Sequence, residues 1–73
     1  MPGQRALLCK LLRQARLDNK LSQREAGELS GHDQTFISKI ESGKREVDFV
    51  EVEHFARIYG KRLSFFSASS RMQ

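Results

Sequence analysis

Residues 33–45 read "DQTFISKIESGKR". On a helical wheel Phe36, Ile37 and Ile40 fall to one side, and Thr35, Ser38, Lys39 and Ser42 fall to the other. Gln34 takes the first exposed turn. Asp33 is suited to cap the start of such a helix, and Gly43 is suited to end it. The segment therefore predicts a helix over about 34–42. It has one apolar face, one polar face, and two cations, Lys44 and Arg45, just past its end.

Upstream, Ser22 and Glu25 stand three apart in the pattern of a capping box. A second helix is expected from there to about Ser30, with Gly31 as its stop. Two short helices joined by a few residues around Gly31 have the spacing of a helix-turn-helix. The second member of that motif lies in the DNA major groove. Further upstream, Leu8, Leu11, Leu12 and Ala15 form a helical stripe across Gln4 to Asp18, and Asn19 is expected to end it in the left-handed conformation. Downstream, Asp48 and Glu51 repeat the capping pattern. Phe49, Val52, Phe55, Ala56 and Tyr59 then make a fourth amphipathic stripe, closed by Gly60. A short fifth turn or helix, "LSFF", follows, and the tail "SASSRMQ" is expected to be mobile. No strand-like alternation rivals these patterns. The expectation is an all-α fold, a compact bundle of about five short helices, with one domain over 1–67 and a tail over 68–73.

The chain has 73 residues, enough for one small domain with a thin core. Its 38% apolar and 30% charged residues are those of a globular chain. A single cysteine, Cys9 in "ALLCKLL", excludes an intrachain disulfide framework and fits a reducing compartment. It reads as a small, half-buried hydrophobe. No run approaches the roughly 18 apolar residues needed to span a bilayer. The start "MPGQRALLCKLL" carries Lys10 in its apolar part and has no small-residue cleavage site. A cytoplasmic protein with no membrane partner is expected. The net charge is +4, and it is unevenly placed. Residues 1–45 hold nine Lys/Arg against five Asp/Glu, whereas residues 46–73 hold four of each. The basic excess lies with the quoted segment, and a basic patch points to a polyanion partner.

The exposed side of 34–42 carries the residue types that base reading needs. Gln pairs bidentately with adenine, Lys donates to guanine, and Ser or Thr serves either partner. The pattern alone leaves two readings open, a DNA-reading face and an ordinary solvated one.

The run "LSQREAGELSGHDQTFISKIESGKR" resembles the lambda-repressor-like helix-turn-helix family, of the Cro and xenobiotic-response-element type. The resemblance rests on Leu21-Ser22-Gln23, Gly31, Gln34, Ile37-Ser38, Ile40-Glu41 and Gly43-Lys44-Arg45. It continues through "DFVEVEHFARIYG" and covers roughly Leu8 to Phe66. It implies double-stranded DNA as the partner, with Gln34, Thr35 and Lys39 facing bases and Ser38 facing a base or a phosphate. It implies that Gln23 contacts a phosphate and braces Gln34, and that Ser42, Lys44 and Arg45 contact the DNA backbone. It implies an ion pair between Arg16 and Glu41, joining the first and third helices. Phe36 keeps two readings, contact with a thymine methyl or cover for the core edge. The chain departs from the family at Ala26, Gly27, Ser30 and His32. A Gly inside a helix costs on the order of 0.5–1 kcal/mol relative to Ala, so a loosened second helix is expected, with Leu29 taking over part of the missing apolar contact.

Enzymatic chemistry is not expected. His32 and His54 are single histidines without a second ligand at metal spacing, so neither a metal nor a cofactor is implied. No GxSxG nucleophile motif is present, and the glycines are dispersed as helix stops instead of forming a phosphate loop. The acidic run "EVDFVEVE" suits the start of a helix. The expected function is a transcriptional regulator, a repressor, that binds DNA as a homodimer. Leu63, Phe65 and Phe66 cannot all face one thin core, because neighbouring helical residues point about 100° apart; Phe65 and Phe66 are the candidate dimer contacts. The rival reading is a protein-interaction module such as an antitoxin, with a toxin or co-regulator as partner.

Overall fold

The computed structural model describes residues 4–67, with side chains from residue 6 onward. The five helices are α1 (Gln4–Asp18), α2 (Gln23–Ser30), α3 (Gln34–Ser42), α4 (Phe49–Ile58) and α5 (Leu63–Ser67). No strand occurs among the described residues. The expected tail over 68–73 lies outside them.

Local signals start and stop these helices. The Ser22 hydroxyl accepts from the Glu25 amide at 3.0 Å, and the Glu25 carboxylate accepts from the Ser22 amide at 2.8 Å. Asp48 and Glu51 repeat this reciprocal pair at 2.8 and 3.0 Å. Asp33 accepts from the Phe36 amide at 2.9 Å and starts α3. Each pair satisfies amides that a helix start leaves without intrahelical partners. At the other ends, Gly31 and Gly43 adopt φ of 80° and 81°, a region costly for any residue with a Cβ.

The end of α1 differs from expectation. The left-handed residue is Lys20, at φ 58°, and not Asn19. The Asn19 carboxamide instead donates to Ala15 O at 2.9 Å and to Tyr59 O at 2.6 Å. A tertiary acceptor, the carbonyl at the end of α4, holds Asn19 and passes the turn to its neighbour.

One core gathers the apolar stripes: Leu12 and Ala15 from α1, Ala26 from α2, Ile37 and Ile40 from α3, Val52, Phe55 and Ala56 from α4, then Tyr59 and Phe66. Leu8 and Leu11 pack at its edge. Cys9 is a free, half-buried thiol. Phe49 leaves the expected stripe and is 65% exposed. It is the first residue of α4, one turn before Val52, and lies beyond the end of the core. Burial pushes the Tyr59 hydroxyl pKa up to about 12, because the phenolate would lose its hydration there.

The α2–α3 turn is tighter than the sequence implies. Gly27 is buried, and a Cβ on it would stand 2.5 Å from the Asp33 carbonyl carbon. This glycine therefore permits close approach of the turn backbone and does not loosen the helix. Leu29 is 58% exposed and replaces nothing in the core. The inward position belongs to Ser30, which is buried. Its hydroxyl donates to Gly27 O at 3.1 Å, and its carbonyl lies 3.2 Å from His54 Nε2. A polar residue is thus accommodated by local hydrogen bonds.

Candidate nucleic-acid interface

The polar side of α3 faces outward from the pair α2–α3. Gln23, Gln34, Thr35, Ser38, Lys39, Ser42 and Lys44 line one shallow cleft of about 380 Å³. They come from the start of α2, from two and a half turns of α3, and from the loop after Gly43. Residues 34, 35, 38, 39 and 42 share a side because successive helical turns bring them into one arc. Among the described residues, the side chains of Gln34, Thr35, Ser38, Lys39 and Lys44 make no hydrogen bond or ion pair. Their donors and acceptors are free to meet an external partner. Ser42 donates to Lys39 O at 3.3 Å and keeps its own acceptor capacity.

A helix-turn-helix family model matches residues 12–66. The chain belongs to the lambda-repressor/Cro-like helix-turn-helix family. Among solved structures, the clp gene regulator ClgR from C. glutamicum superposes with a TM-score of 0.82 at 25% identity, covering 100% of both chains. No curated protein matches the chain. Within the helix-turn-helix, α2 takes the place of the supporting helix and α3 that of the second helix, the member that such motifs place in the major groove.

Two Arg–Glu pairs flank this helix. On the inner flank, the Arg16 guanidinium donates to both Glu41 oxygens, at 2.7 and 3.0 Å, and to Leu21 O at 2.8 Å. The two side chains are 8% and 4% exposed. The hydrogen bonds to Glu41 hold the Arg16 pKa above its ordinary value, although burial opposes this. Gln23 joins here. Its amide donates to Glu41 Oε1 at 3.2 Å, so it braces the helix-turn-helix through the glutamate and not through Gln34. The reason is geometric, since the charged acceptor stands within reach of the start of α2 and is the stronger partner.

On the outer flank, Arg45 is turned away from the cleft. Its guanidinium donates to Glu46 O at 2.9 Å and to both Glu51 oxygens at 3.2 Å. It also lies 4.5 Å from the centre of the Phe36 ring. Phe36 is half-buried, and it stacks with His32 at 3.7 Å and 10°. The aromatic cluster continues inward to Phe55. Of the two readings of Phe36, cover for the core edge describes what the ring does in the free helix-turn-helix. Hydrogen bonding to Arg45 holds the Glu51 carboxyl below its ordinary pKa.

A second surface is built from α1, α4, α5 and the loop before α4. Leu8, Val47, Phe49, Val52, Leu63 and Phe66, with Ser64 and Ser67, line an apolar groove of about 520 Å³. Phe66 is only 2% exposed and belongs to the core, which corrects its expected place at a partner surface. Phe65 is half-buried, with the Lys61 ammonium 4.8 Å from its ring centre. The exposed apolar residues of this lining are Phe49, at 65%, and Leu63. The fourth apolar stripe of the sequence places Phe49 in the core, where the structure does not put it. The available signal was the run Val47-x-Phe49-Val50, more apolar than a helix start requires.

Proposed function

We propose that the protein is a sequence-specific regulator of transcription that binds double-stranded DNA through α3 and represses by occupying its site. Membership of the helix-turn-helix family supports a DNA-binding regulator. The observation that carries the finer reading is the cleft, where hydrogen-bonding side chains of the kinds that read bases are gathered without internal partners. Gln34, Thr35, Ser38 and Lys39 are assigned to base edges, and Gln23, Ser42 and Lys44 to the phosphate backbone. Gln23 reaches a phosphate from the start of α2 while its amide stays on Glu41.

One α3 helix spans only a few base pairs, so useful discrimination requires two copies on one site. The apolar groove is assigned to a second copy of this chain. The exposed apolar residues of its lining are Phe49 and Leu63. Residues 46–73 carry equal numbers of acidic and basic groups, so two such surfaces meet without net repulsion. The test is selection of bound sequences from a random duplex pool, with sedimentation of the protein on and off the selected site. The expected result is a two-fold symmetric motif with half-sites about 34–36 Å apart and a dimer bound to it. A second reading, a module that holds a toxin or co-regulator, rests on the same groove. Failure to retain any duplex at low salt would decide for it.

A further inference from the structure

We infer that Glu51 sets how strongly the domain binds DNA of any sequence, by withholding Arg45 from the phosphate backbone. The inference rests on the DNA-binding reading and adds to it a residue that lies outside the cleft. Lys44 and Arg45 are consecutive, follow the same Gly43, and carry the same charge. Their surroundings differ. Lys44 lines the cleft and has no side-chain partner among the described residues. Arg45 is held by three oxygens and one ring, namely both Glu51 oxygens, Glu46 O and Phe36.

Each part of this arrangement suits a guanidinium. Its flat fork fits a carboxylate in two parallel hydrogen bonds, and its face lies on an aromatic ring. Phe36 is fixed in turn by His32 and Phe55. Glu51 is fixed as the capping-box residue of α4, where it also accepts from the Asp48 amide. The clamp is therefore assembled before DNA arrives. It pairs one cation beside the interface with an anion, and a neutral pair displaces no counterion from DNA.

The pair is nevertheless within reach of solvent, with side chains 42% and 23% exposed. A phosphate oxygen and the Glu51 carboxylate thus compete for the same guanidinium. Glu51 tips the balance away from phosphate, so contact with random sequence, which relies on charge alone, is held down. The base-reading contacts of the cleft do not pass through Arg45. The base preference is therefore left as the cleft sets it, and Glu51 adjusts the overall affinity.

The test is the salt dependence of binding to a 20-base-pair duplex of random sequence. Each phosphate contact adds about 0.9 to the slope of log affinity against log salt. Glu51→Gln keeps an oxygen for the Asp48 amide and removes the competing charge. It should steepen the slope by about 0.9, equivalent to losing ~3.5-fold more affinity between 50 and 200 mM salt. Adding Arg45→Gln to that variant should restore the original slope. Should Glu51→Gln melt below the assay temperature, Glu51→Asp, with its shorter reach, is expected to steepen the slope in the same direction. An unchanged slope in the folded variant, or a steep slope that persists in the double variant, overturns the inference. Absence of any duplex binding by the wild type would instead overturn the DNA-binding reading itself.

Discussion

The two Arg–Glu pairs beside α3 share their chemistry and differ in their surroundings. Arg16 and Glu41 are almost fully enclosed, with a further carbonyl and a carboxamide completing their hydrogen bonds. Arg45 and Glu51 are longer-bonded and face solvent. In the enclosed pair, each charge has given up its hydration, so either partner left alone is strongly destabilising. In the open pair, water replaces whatever is lost, and the net contribution to stability is small. The inner flank thus ties α3 to α1, whereas the outer flank leaves a paired cation within reach of solvent. One helix is anchored by a pair that cannot exchange partners and adjusted by a pair that can.

The largest test of this contrast is Glu41→Ala. It strands the buried Arg16 and should cost about 3–5 kcal/mol. That is enough to abolish the cooperative melt of so small a domain, or to lower its midpoint by at least ~12 °C. A midpoint within a degree or two of wild type would erase the distinction between the flanks. Alkaline titration probes the enclosed side next. Tyr59 folds with a pKa of about 12, against an ordinary value of 10.0. The unfolded chain therefore loses this proton first. Its contribution to stability is intact below about pH 10 and falls by roughly 1.4 kcal/mol per unit as pH rises from 10 to 12. Comparing urea midpoints of the wild type and Tyr59→Phe across that range isolates the effect; parallel curves would refute it.

Gly27→Ala asks whether the turn between the helices can relax. The added carbon meets the Asp33 backbone at 2.5 Å, and the expected loss is about 1–3 kcal/mol by thermal melt. A stabilised variant would show that helix propensity outweighs the contact. Gln34→Ala lies on the open side of α3, so the melt should not move. The selected DNA motif should instead lose its preference at one base position per half-site, at a cost of about 1–3 kcal/mol on the preferred site. An unaltered motif removes Gln34 from base reading. The smallest effect belongs to Arg45→Gln, with an expected change of about 0–1 kcal/mol in stability. A loss as large as that of Glu41→Ala would mean that the two flanks do the same work.

Helix positions were legible because their causes are local. Ser22 with Glu25, Asp48 with Glu51, and Asp33 alone each bond to an amide three residues on. Gly31 and Gly43 are needed where the backbone turns left-handed. The arc of polar residues from Gln34 to Ser42 follows from helical geometry, so the composition of the cleft could be read before its shape was known. Side-chain partners were not legible from the residues alone. Asn19 turns to the carbonyl of Tyr59, 40 positions away, and so gives up the left-handed place to Lys20. Gln23 turns to Glu41, 18 positions away, and Arg45 to Glu51, across a loop. Phe49 and Phe66 exchange their expected places, because burial depends on where the ends of α4 and α5 fall relative to the core, which periodicity does not specify. Sequence by itself determined which backbone amides would be capped and which face of each helix would be apolar, since these depend on neighbours within one turn. Only tertiary structure decided that Arg45 would be paired and Lys44 left without a side-chain partner among the described residues, since a charged side chain takes the strongest acceptor that folding brings within its reach.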